Sequence, residues 1–95
     1  MAAYVIANIR ITDPDRYPEY ASRVPRTVER HGGRYLARGG KVEVLEGEWE
    51  PQRLVILEFE SMERLREWYD SPEYGPLKRL REEVTASQLV VVEGL

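Results

Sequence analysis

An α+β sandwich, with a four-stranded antiparallel sheet and helices on one face, is the fold class this sequence predicts, and three observations carry it. Residues 54 to 59, Leu-Val-Ile-Leu-Glu-Phe, are almost wholly apolar, which suits a strand covered on both faces. A helix start follows directly: Ser61 stands at the N-cap, Glu63 lies in the first turn, and Met62, Leu65, Trp68 and Tyr69 recur at helical spacing. A second start comes at once, with Ser71 as N-cap, Pro72 where its missing N–H costs nothing, and Glu73 next.

The remaining elements follow in order. Residues 3 to 11 form the first strand, where Val5, Ala7, Ile9 and Ile11 share an apolar face and Tyr4, Ile6, Asn8 and Arg10 a mixed one. Thr12 or Asp13 caps helix one, with Pro14 near N1, and the apolar stripe is Tyr17, Tyr20, Ala21, Val24 and Val28. Gly32 and Gly33 end it as left-handed C-cap glycines do. Pro25 lies inside this helix, so a kink is expected and the carbonyl of Ala21 loses its usual partner. Strand two starts near Arg34 and is interrupted at Gly39-Gly40, where a bulge or bend precedes Lys41 to Glu46. Gly47 to Pro51 read as a turn, strand three covers about residues 53 to 60, and strand four runs from about Gln88 to Glu93.

This β-α-β-β-α-β order, with helix two broken near Ser71, is that of the ferredoxin-like sandwich, whose usual strand order is 4-1-3-2. Alternation then adds a consequence. Val55, Leu57 and Phe59 share one face of strand three, and Leu54, Ile56 and Glu58 the other; Leu89 and Val91 likewise oppose Val90 and Val92. Both sheet faces are largely apolar, yet two helices cover only one. The second face therefore calls for a second copy of the chain, a homodimer.

Length and composition bound the function. The 95 residues form a single domain over positions 1–95 with a small core. A chain of this size buries only about two-thirds of the surface it exposes when unfolded, which again favours oligomerisation. No cysteine is present, so neither disulfides nor thiolate metal sites arise. With one histidine and no His-Glu-x-x-His or EF-hand spacing, no metal is expected. Net charge is −3, from 14 basic and 17 acidic residues. The basic run Lys78, Arg79, Arg81 is followed at once by Glu82 and Glu83, which argues against nucleic-acid binding. No apolar run approaches membrane-spanning length, and the N-terminus shows no signal-peptide pattern, so the expectation is a cytoplasmic protein with no membrane partner.

Three quoted motifs carry a resemblance. Trp68-Tyr-Asp-Ser-Pro-Glu-Tyr74 after the strand end Glu58-Phe59-Glu-Ser61, His31-Gly-Gly-Arg-Tyr-Leu-Ala-Arg-Gly-Gly40, and Ile11-Thr-Asp-Pro14 with Tyr20 resemble the DUF1330 family across nearly the whole chain. The resemblance implies the dimeric α/β-barrel superfamily, in which two ferredoxin-like sheets face each other. Superfamily members include antibiotic-biosynthesis monooxygenases, muconolactone isomerase and haem-degrading monooxygenases. The haem-degrading relatives use an asparagine on strand one, a tryptophan on helix two and a histidine near helix two. Asn8 and Trp68 match the first two, but His31 follows helix one, so haem chemistry is not implied. No cofactor is expected.

Candidate residues each carry two readings. His31, the only histidine, is a general acid or base at a cleft rim, or a helix-end residue that bonds a last carbonyl. Arg38, in the family-like Arg-Gly-Gly, offers a guanidinium to a carboxylate or enolate, or else pairs with a glutamate. Glu58 joins these two as a catalytic candidate. Either Asn8 or Arg10 satisfies it structurally, or Asn8 and Glu58 point into a sheet–helix pocket. Tyr20, Trp68, Tyr69 and Tyr74 line that pocket or form core, and Trp49 in its turn is a dimer anchor. Two functions follow: a cofactor-independent, monooxygenase- or isomerase-like enzyme acting on a small anionic or carbonyl compound, or a non-catalytic dimeric module that binds a metabolite or a protein.

Overall fold

The computed structural model describes residues 1–95. Its elements are β1 (Ala3–Ile11), α1 (Tyr17–Arg30), β2 (Arg34–Arg38), β3 (Leu54–Phe59), α2 (Met62–Tyr69), α3 (Gly75–Val84) and β4 (Thr85–Glu93). The four strands form one antiparallel sheet in the order β2-β3-β1-β4, with β1 and β3 at its centre. This is the ferredoxin-like arrangement expected from the element order.

Register decides which side chains meet. Val5 lies opposite Leu57 and Ala7 opposite Val55, so these residues share the face that the helices cover. Tyr4 lies opposite Glu58 and Ile6 opposite Ile56 on the other face, which no element of the chain covers. The core fills the covered side. Val24 and Val28 come down from α1, Leu65 and Trp68 from α2, and Leu77 and Val84 from α3, onto Ala3, Val5, Leu57 and Phe59.

Local signals explain the helix ends. The Oγ of Ser61 accepts from the Arg64 N–H at 3.1 Å, so the predicted N-cap is formed. At the end of α1, the N–H of Gly33 reaches the Val28 carbonyl and that of Gly32 reaches Glu29, with Gly32 at φ 75°. That pair of bonds is a Schellman motif, which needs a left-handed residue at this position. The helix continues through Pro25 to Arg30.

Four boundaries differ from expectation. Helix one begins at Tyr17 with Pro18 in its first turn; Asp13 instead organises the turn before it, accepting from Arg16 N–H. Ser71 caps a single turn, its Oγ accepting from Tyr74 N–H, and α3 proper starts at Gly75 with Pro76 in its first turn. Strand four begins at Thr85 rather than Gln88, because α3 runs into it without a loop. Lys41 to Glu46 alternate as a strand would but form none, since β2 is an edge strand and nothing lies beyond it to pair with them. The bulge sits earlier, between Tyr35 and Ala37. No helix is long and apolar enough to cross a membrane.

Candidate functional site

A cavity of about 30 Å³ lies between the covered sheet face and the helices. Its wall is mostly core: Val5, Ala7 and Leu57 from the sheet, Val24 from α1 and Trp68 from α2. Into this apolar wall project four tyrosines and three arginines, Arg38, Arg53 and Arg81, and no carboxylate. The volume holds a water or one small ligand group, not a whole metabolite.

Arg81 is the deepest of the arginines. Its place in α3, four residues after Leu77 and three before Val84, puts it on the inward stripe, and it is only 7 % exposed. One Nη donates to the Tyr74 hydroxyl at 3.1 Å, and that hydroxyl shares a 2.9 Å hydrogen bond with the hydroxyl of Tyr20. The Nε–H is buried and has no partner. No glutamate or aspartate pairs with Arg81. Burial works against its charge, the Tyr74 and Tyr20 oxygens favour it more, and its pKa stands above the ordinary value. The guanidinium is charged.

Its neighbours are not. Burial pushes the hydroxyl of Tyr20 well above the ordinary tyrosine range and raises that of Tyr74, against the pull of Arg81. Burial likewise raises Tyr35 to about 12, against the pull of Arg38. Tyr20 and Tyr74 therefore carry two hydroxyl protons, and their mutual bond uses one. One O–H and four of the five Arg81 N–H donors, the buried Nε–H among them, remain without a hydrogen-bonded protein acceptor. Unused donors beside a small void are the chemistry from which an anionic oxygen would accept.

Arg38 is held by the consequence of Pro25. The Ala21 carbonyl, freed because Pro25 has no N–H, accepts from Arg38 Nη2. The same guanidinium lies 4.8 Å from the centre of the Tyr35 ring. Arg53 is placed by Tyr17, donating its Nε–H to that hydroxyl at 3.2 Å with its guanidinium 5.7 Å from the ring centre. Its guanidinium also rests against the bare Cα of Gly39, where a Cβ would collide with it. Arg38 is exposed and Arg53 half-buried, so these two stand at the mouth and Arg81 at the floor.

The structure thus gathers Arg38, Tyr20, Trp68 and Tyr74 around one cavity and places the other candidates elsewhere. Trp68 is 1 % exposed and structurally satisfied, its Nε1–H donating to Thr27 Oγ1 at 3.0 Å. Tyr69 borders a separate apolar groove with Leu65, Leu89 and Val91 and lies under the Lys78 ammonium, 3.7 Å from its ring centre, while its oxygen lies near enough to Arg81 to favour that charge. His31 donates from Nδ1 to the Thr27 carbonyl at 2.9 Å, at the end of α1 and outside the cavity.

Glu58 and Asn8 do not face the helices. Both lie on the uncovered sheet face, because strand parity sets them opposite to Phe59 and Ala7. The partner of Glu58 is Arg34 at 2.7 Å, not Asn8 or Arg10. Asn8 Oδ1 accepts from Gln52 N–H at 3.2 Å. Sequence reasoning grouped Arg81 with the exposed run Lys78 and Arg79; its spacing from Leu77 and Val84 was the signal that separates it. Arg53, Tyr17 and Tyr35 are not among the sequence candidates, and of these only Tyr17 lies on a stripe that the sequence marks as inward.

Similar structures share this fold. A protein of unknown function from Rhodopseudomonas palustris has a TM-score of 0.80 at 19% identity, over 99% of this chain and 82% of that one. SnoaB of Streptomyces nogalater, a cofactor-independent oxygenase, has a TM-score of 0.67 at 10% identity, over 99% and 93%. A conserved protein from Methanosarcina mazei has a TM-score of 0.61 at 18% identity, over 100% and 94%. These likenesses concern the fold. No curated protein matches the chain. The family description "Domain of unknown function (DUF1330)" matches residues 2–95, and the chain belongs to that family.

Proposed function

We propose that this protein seats a small compound by an anionic oxygen, a carboxylate or an enolate, on Arg81 and the Tyr20–Tyr74 pair. One observation carries the reading: a charged arginine, 7 % exposed, has no carboxylate partner and an Nε–H that nothing accepts. A buried charge left uncompensated costs several kcal/mol on the order usual for such groups, and a ligand oxyanion is what removes that cost. The same donors favour an enolate over its parent carbonyl compound, which is the differential stabilisation that catalysis requires. Neutral phenols and a charged guanidinium are not bases at neutral pH, so the reading calls for a substrate that ionises readily by itself. Cofactor-independent chemistry of the monooxygenase or isomerase type fits those terms, and the fold shared with SnoaB supports it.

The small void favours a second reading, a metabolite-binding module without turnover. Thermal-shift titration with carboxylates, quinones and lactones tests binding first. Ligand at 100 times its dissociation constant adds about 2.7 kcal/mol to stability, a readily visible shift. Arg81→Met keeps much of the volume and removes the donors, so it should abolish the shift. A panel that leaves wild type unmoved overturns the binding reading. Oxygen uptake or product formation without added cofactor, measured on the compounds that bind, separates enzyme from module.

A second copy belongs to the same reading. Ile6, Leu54, Ile56, Val90 and Val92 form an apolar field on the uncovered face, flanked by exposed Leu36. A two-fold axis lets one such face cover another, residue against residue. Sedimentation at micromolar concentration should give the dimer mass; a monomer overturns it. The reading also keeps the chain in the cytoplasm, which fractionation of expressing cells checks.

A further inference from the structure

We infer that the ligand carries two acidic groups, the inner one on Arg81 and the Tyr20–Tyr74 pair and the outer one clamped at the mouth by Arg38 and Arg53. This rests on the anion-binding reading above and names the ligand class. Three observations converge on it.

The first is charge. The arginines without a glutamate partner are of two kinds: Arg10, Arg26, Arg66 and Arg79 are exposed to water and lie apart from the cavity, whereas Arg38, Arg53 and Arg81 converge on one cavity whose wall holds no carboxylate. One anionic group would balance Arg81 and leave the mouth uncompensated. The second is pre-organisation. Arg38 is fixed by the Ala21 carbonyl and the Tyr35 ring, and Arg53 by Tyr17 and the bare Cα of Gly39. Each anchor uses one of five guanidinium N–H donors, leaving a fork for a carboxylate whose binding costs little further ordering. Gly39 directly follows Arg38, and the Arg53 guanidinium lies on it, so both cations line the same cavity, whose wall holds no acid. The third is depth. The whole cavity, about 30 Å³, accepts a single small group, so the rest of any ligand runs outward past its rim, from buried Arg81 towards exposed Arg38.

The experiment is calorimetric titration of the full chain with matched pairs: benzoate against benzene-1,3-dicarboxylate, and butyrate against glutarate. The dianion of at least one pair should bind tenfold or more tightly than its monoanion. Arg38→Gln and Arg53→Gln should each weaken the dianion more than the monoanion and bring the ratio close to one. Both positions are at the mouth, and unchanged melting temperatures of the ligand-free variants would exclude misfolding. Monoanions that bind as tightly as dianions, or a ratio that both variants leave intact, overturn the inference and leave the single-oxyanion reading standing. Absence of binding by every member of both pairs overturns the two together.

Discussion

The two faces of the sheet treat their polar groups in opposite ways. On the uncovered face Glu58 lies directly across β2 and β3 from Arg34 and bonds it at 2.7 Å, and Asn8 accepts from the backbone of Gln52. Donor meets acceptor there, and the pairs hold edge strand and loop in register. On the covered face, Arg81 Nε–H and one hydroxyl proton of the tyrosine pair meet no acceptor, and three arginines surround the void without an acid. Polar groups closed among themselves belong to the architecture. Donors of one kind left open around a cavity describe the ligand that closes them.

The largest expected effect tests where core stops and site begins. Trp68 touches the cavity, but its ring also stacks 4.3 Å from Tyr74 and 5.4 Å from Phe59, and its N–H is spent on Thr27. Trp68→Ala should therefore cost about 3–5 kcal/mol of stability, read from urea unfolding. A loss below about 1.5 kcal/mol would make the aromatic cluster a pliable ligand wall and break the comparison.

The tyrosines give the next effect, and its sign follows from their raised pKa values. Below about pH 10 all are neutral in both folded and unfolded states, and stability is independent of them. Above that pH the unfolded chain releases protons that folded Tyr20, Tyr74 and Tyr35 retain, so stability falls as pH rises, for Tyr35 until about 12. Tyr20 and Tyr35 each add a slope rising to about 1.4 kcal/mol per pH unit in that window, and Tyr74 adds to it with the same sign. Denaturant midpoints between pH 8 and 11 should be flat and then drop. Tyr20→Phe should remove its share of the slope, and tyrosines titrating near 10 in the native protein would contradict the closed environment.

Much of the frame was legible because local chemistry decided it. Ser61, the Gly32-Gly33 pair and the apolar run from Leu54 act through near neighbours, and each appears where expected. The orphaned Ala21 carbonyl was equally readable from Pro25, but its new partner, Arg38, is 17 residues away and belongs to another element. Strand parity separated Glu58 from Phe59 correctly. It could not say which face the helices cover, since both are apolar, and so Glu58 and Asn8 were candidates for a pocket they do not reach. Arg81 was hidden by composition: beside Lys78 and Arg79 it reads as solvated, and only the helical stripe through Leu77 and Val84 turns it inward.

Gly39 ties the backbone to the mouth of the cavity, and its replacement should have a smaller effect. Its φ of 71° is left-handed, so Gly39→Ala should cost about 1–2 kcal/mol. The added Cβ also displaces Arg53 from its seat. Gly39→Ala should thus weaken dianion binding more than its melting temperature alone explains, as titration beside thermal unfolding would show. Full retention of dianion affinity would mean that Arg53 takes no part in the clamp.

The smallest effect concerns the closed pair on the other face. In the single chain the Arg34 side chain is 71% exposed, and an exposed ion pair contributes about 0.2–1 kcal/mol. A double-mutant cycle with Arg34→Ala and Glu58→Ala should return a coupling in that range at concentrations where the chain is monomeric. If a second sheet covers this face, the pair loses water and its coupling rises, because truncating one partner then strands a buried charge. Repeating the cycle across the dimer concentration range therefore reads both the pair and the interface. A coupling independent of concentration, in a protein that sediments as a dimer, would place the contact between copies away from Glu58.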